Sequence, residues 1–183
     1  MKVRFPRLVD GRRAYCVVER SDGVRYQISE GIASSAVPHD LVHFVAERET
    51  GEDGGFWGAV AEGAVFKSMK HLDGRRPPHA ADRSAAAIRA RSDRLQRAEL
   101  MAGLVARVAD ERITSTAQVR TAASDVLSTL PDARVDELRV MAAADVLRQV
   151  AERWARLAPG EELVMEWPDA GGKRRRRNGW TCP

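Results

Sequence analysis

Two imidazoles four residues apart, with a carboxylate beside the first, make His39-Asp40-Leu41-Val42-His43 the segment best equipped for chemistry. In a helix, positions i and i+4 share a face one turn apart, so both rings can reach a single ion. Neutral imidazole suits zinc, and such a centre needs a third ligand from another element and an open fourth position. A carboxylate directly after the first histidine can hold and deprotonate a metal-held water, which makes Asp40 the candidate general base. Glu47 shares the face of both histidines, but two turns from His39 it is better placed to support a ligand than to be one. Glu49, Glu52 and Glu62 are further carboxylates within reach along the chain, and His71 and His79 flank the loop DGRRPP and could replace a ligand. The same residues also suit a structural role, with His39 at the surface, Asp40 complementing the helix dipole and His43 hydrogen-bonded in the core.

These side chains need a scaffold, and the flanking patterns supply one. Val3-Arg4-Phe5, Ala14 to Val18 and Val24 to Ile28 are rich in β-branched and aromatic residues. Asp10-Gly11 and Asp22-Gly23 separate them, and such pairs suit tight hairpin turns, so a three-stranded antiparallel meander is expected over residues 1–30. Pro6 cannot donate to a ladder, which predicts that the first strand lies at an edge. Cys16, in mid-strand, reads as a small buried hydrophobe. A helix is expected from Pro38, with Leu41, Val42, Val45 and Ala46 inward and Gly51 at its end. Residues 56–66 read as a second, shorter helix, completing a motif region over 37–68.

From residue 80 to 158 the apolar residues recur with helical period, which predicts a bundle of three longer helices. The Ala- and Arg-rich segment from Ala80 to Arg97 reads as helix. Ile88, Leu95, Ala98, Met101, Val105 and Val108 form its continuing face. Thr114 or Ser115 caps the next helix, with Val119, Ala123, Val126 and Leu130 inward and Pro131-Asp132 beyond it. Val135, Leu138, Ala142, Val146, Val150, Trp154 and Leu157 form the last stripe. Residues 162–167 read as a short strand returning to the N-terminal sheet. The expected architecture is thus a single α+β domain over 1–172, followed by a basic, flexible tail over 173–183.

The motif also carries resemblances. HDLVH, then eighteen residues, then Glu62-Gly63, resembles the H-E-x-x-H-x18-E pattern of the gluzincin metallopeptidases, with Asp in place of the usual Glu. That resemblance implies His39, His43 and Glu62 as metal ligands and Asp40 as the general base. It covers about 25 of the 183 residues. HDLVH is also similar to the H-D-x-x-H motif of the ubiquinone-biosynthesis lyases, whose third ligand would fall at Gly55 here. PHDLVHF followed by GFWG resembles uncharacterised actinobacterial proteins, a likeness that implies no activity.

Composition narrows the remaining classes. With 44% hydrophobic and 31% charged residues the chain has an ordinary globular balance. No apolar run is long enough for a membrane span and no secretory leader is evident, so a cytoplasmic location without membrane insertion is expected. The two cysteines form no bridge framework or metal-spaced pair. The net charge is +4, yet Lys173, Arg174, Arg175, Arg176 and Arg177 alone carry +5. The remainder is therefore close to neutral, and any binding of an anionic partner is expected from this tail. Trp57 and Trp154 read as core, Trp180 as exposed, and Cys182 as a terminal thiol. Two functional expectations result. The first is a zinc-binding protein with a degenerate gluzincin-like site, either a weak metal-dependent hydrolase acting on a small-molecule or peptide substrate or a metal-stabilised non-enzyme. The alternative is a non-enzymatic interaction protein that binds a protein or nucleic acid through its helical half and basic tail.

Overall fold

A computed structural model describes residues 1–8, 13–32, 37–76, 78–130 and 134–168. The chain folds as an α+β mixture, with a five-stranded antiparallel sheet and helices packed on its inner face. The strands are β1 (Lys2–Pro6), β2 (Arg13–Glu19), β3 (Arg25–Ile32), β4 (Met69–Asp73) and β5 (Glu162–Glu166), in the spatial order β4-β3-β2-β1-β5. The β2–β3 turn forms as Asp22-Gly23 dictates. Gly23 takes φ 78°, and Arg20 and Val24 close the turn with a backbone bond of 3.1 Å.

β1 is not an edge strand. It pairs with β2 on one side and with β5 on the other. Pro6 is accommodated because the β1–β2 pairing ends at Arg4 opposite Val17. Arg7 N–H bonds Glu161 on the β5 side, so the nitrogen of Pro6 faces the side where the ladder has already stopped. The edges are β5 and β4, and β4 was not anticipated. Only Met69 of β4 is buried, so it shows no alternation to betray a strand.

The helices are α1 (His39–Thr50), α2 (Phe56–Ala61), α3 (Ala80–Arg89), α4 (Ser92–Asp110), α5 (Thr116–Val126) and α6 (Glu137–Arg156). Pro38 occupies the cap position of α1, and Gly51 ends the helix in a left-handed conformation at φ 79°. α2 stops at Ala61, short of the expected Phe66. The segment from Ala80 to Arg97 is two helices, broken at Ala90-Arg91, where Ser92 and Asp93 favour a helix start over a helix interior. Ser115 caps α5 by accepting from Gln118 N–H. In α6 the inward face runs through Val140, Ala143, Ala144, Leu147, Val150 and Trp154. Leu138 and Ala142 of the expected stripe are exposed, Leu138 by 69%. A row of four-residue steps winds round a helix by about 40° per step, so the expected row left the core at one end.

α1 is central. It packs on α4 and α6, and its Phe44 reaches Phe5 of β1. Phe44 meets Phe5, Trp57 and Trp167 edge-on, with ring centroids 6.1, 5.2 and 5.4 Å away. Cys16, Trp57 and Trp154 are buried, as expected of core residues. Among the described residues no helix is long and apolar enough to cross a membrane. The Asp10-Gly11 and Pro131-Asp132 turns, Trp180, Cys182 and the tail from Lys173 to Arg177 lie outside the described residues.

Candidate metal centre

His39 opens α1 and His43 follows one turn later, so the two rings lie side by side, tilted by 43° with centroids 4.4 Å apart. Their settings differ. His43 is buried, whereas the His39 side chain is 63% exposed. The third group comes from α4. Glu99 Oε2 lies 3.4 Å from His43 Nε2, and its Oε1 lies 3.9 Å from His39 Nε2. His39, His43 and Glu99 thus each offer one donor atom within 4.8 Å of the others, a group that could hold a metal ion. Donors bound at about 2.0–2.2 Å around a tetrahedral ion sit roughly 3.3–3.6 Å apart. His43 Nε2 meets that spacing to Oε2 of Glu99, whereas His39 Nε2 lies beyond it and faces the other oxygen, Oε1.

Both rings turn their Nε2 edge toward Glu99 and their Nδ1 edge toward a carboxylate of α1 itself. Asp40 Oδ1 is 3.8 Å from His39 Nδ1, and Glu47 Oε1 is 3.9 Å from His43 Nδ1. Glu47 is 1% exposed, and both of its oxygens are bound. Oε1 accepts from Phe56 N–H at 3.0 Å and Oε2 from Trp57 N–H at 2.9 Å. The approach is tight because residue 55 is glycine. A Cβ there would come within 2.5 Å of the Glu47 carboxylate and 2.7 Å of Ala98 Cβ. Asp40 is half-buried, its carbonyl accepts from Trp57 Nε1–H at 3.1 Å, and Cys16 Sγ stands 4.0 Å from its Oδ2.

Burial and charge act against each other here. Burial raises the Glu47 carboxyl to about 7, despite the Trp57, Gly58 and Phe56 amides and the His43 charge that favour the anion. Burial likewise raises Asp40, against the charges of His39 and His43. For His43, burial disfavours the cation, but the hydrogen bond to Glu99 and the charges of Glu99, Glu47 and Asp40 win and raise it. The same bond from His43 lowers Glu99.

The carboxylate that joins the histidine pair is therefore Glu99 and not Glu62. Glu62 caps the C-terminal end of α2, is exposed and is ion-paired with Arg91. Glu49 pairs with Arg48 and Glu52 with Arg97. His71 bonds the Gly74 carbonyl at 3.0 Å, and His79 precedes α3 with Asp82 4.0 Å away. None of these joins the histidine pair. Asp40 and Glu47 do stand beside it, both at the Nδ1 edges.

Local spacing could not have pointed to Glu99, which lies more than fifty residues beyond His43 on another helix. The one signal was its position between Ala98 and Ala102, small buried residues that let α4 lie close to α1. No family model, no curated protein and no solved structure matches this chain. The motif resemblances rest on the motif residues alone.

Proposed function

We propose that this chain binds a divalent metal ion, zinc foremost, through Nε2 of His39, Nε2 of His43 and a carboxylate oxygen of Glu99. The observation that carries the reading is the convergence of both Nε2 edges on one carboxylate from a neighbouring helix. Two nitrogens and one oxygen are a donor set suited to zinc, and the exposure of His39 and Glu99 keeps further coordination positions open to water. The chemistry this supports is metal-assisted hydrolysis, in which the ion acts as a Lewis acid and lowers the pKa of its water. Asp40 fits a supporting carboxylate better than a general base, because it stands at the Nδ1 edge of His39.

Elemental analysis of the purified chain after zinc loading and dialysis tests this reading. One zinc per chain is expected, retained in Glu62→Ala and lost in Glu99→Ala and in the double variant His39→Ala, His43→Ala. Zinc content unchanged in the double variant would refute it.

A further inference from the structure

We infer that Glu47 is a positioning residue for His43, and that through it the Phe56–Trp57 backbone becomes part of the frame of the metal centre. The inference rests on the metal reading for its effect on affinity, but its structural content stands apart from that reading.

Glu47 is a buried carboxylate with each oxygen held by a separate backbone N–H, which leaves it little freedom to turn. Its Oε1, the oxygen bound by Phe56 N–H, also faces His43 Nδ1. At 3.9 Å the ring stands roughly 0.8 Å beyond a direct N–H···O bond, close enough for the charge of the carboxylate to act on the Nδ1 edge. A carboxylate fixed at this edge favours a proton on Nδ1 and directs the lone pair of Nε2 toward Glu99. Outer partners of this kind set the tautomer and orientation of a metal-binding histidine. Asp40 faces His39 in the same sense, but the His39 side chain is 63% exposed and lacks a comparably buried frame. Gly55 completes the frame, since a side chain there would occupy the space of the Glu47 carboxylate.

Histidine-labelled ¹⁵N NMR at about pH 8, where Glu47 is ionised, provides the test, with and without zinc. The wild-type chain should show a His43 Nδ1–H resonance that exchanges slowly with water. Glu47→Gln keeps the shape of the side chain but offers one acceptor oxygen where two N–H groups and the ring need acceptors. It should abolish that resonance and weaken zinc binding about 10- to 100-fold. Gly55→Ala, which removes no polar group, should shift the resonance and weaken zinc binding in the same direction. If Glu47→Gln does not fold, Gly55→Ala carries the test. A wild-type His43 without an Nδ1–H, or a resonance indifferent to both substitutions, overturns the inference. A protected Nδ1–H in a chain that binds no zinc would defeat the functional reading and leave this inference intact.

Discussion

The two ends of the histidine pair are built differently. At the inner end, His43 lies under the protein surface, backed by Glu47, which is in turn fixed by the amides of Phe56 and Trp57. At the outer end, His39 and Glu99 have most of their side chains in solvent, and their 3.9 Å separation is the longer of the two to Glu99. The difference teaches that the fold holds one ligand rigidly and leaves two to adjust. An ion can draw exposed side chains in to its coordination distance at little cost in packing. Substitutions at the inner end should therefore change stability, whereas those at the outer end should change metal binding alone.

Trp57→Ala should have the largest effect. Its indole is fully buried, packs on Phe5 and Phe44 and bonds the Asp40 carbonyl. Its loss should cost about 3–5 kcal/mol in denaturant unfolding. The pH dependence of stability comes next. In the metal-free chain Glu47 holds its proton up to about pH 7, whereas in the unfolded chain it releases it near its ordinary value of 4.5. The native state thus binds more protons across that window, and stability falls as pH rises through it, by at most about 3 kcal/mol from this group. The raised His43 acts in the same direction, because its contribution is also lost as pH rises through its native pKa. Thermal unfolding across pH 4.5–8 checks the sign, and the slope should flatten in Glu47→Gln.

Gly55→Ala should cost about 1–3 kcal/mol through overpacking against Glu47 and Ala98. The smallest effects belong to the exposed carboxylates. Glu99→Ala and Glu62→Ala should each shift stability by less than about 1 kcal/mol, since both carboxylates are largely exposed. Zinc content should then separate them, lost in the first and kept in the second. A large stability loss in Glu99→Ala would erase the contrast between the two ends.

Much of the scaffold was legible because its signals are local. The Asp22-Gly23 turn, the limits of α1 at Pro38 and Gly51, and the Ser115 cap each depend on a few adjacent residues. The short apolar run Leu163-Val164-Met165 likewise marked β5, whose burial alternates in the sheet. The histidine pair belongs with these, since four-residue spacing on a helix brings its rings together. What escaped was set by distant partners. β1 lies inside the sheet because β5 returns to it from more than 150 residues away. The inward face of α6 depends on where α1 and α4 lie. Glu99 joins the histidines through helix packing that no spacing within the motif encodes. Glu62 matched a motif pattern, yet its helix directs it to Arg91.

Cobalt(II) titration followed by visible absorption tests the central claim most directly, because four-coordinate cobalt absorbs far more strongly than the aqueous ion. The account predicts an intense band that saturates at one equivalent per chain, is displaced by zinc, and disappears in His43→Ala and in Glu99→Ala. A weak band like that of aqueous cobalt, or an intense one untouched by those two substitutions, would contradict it.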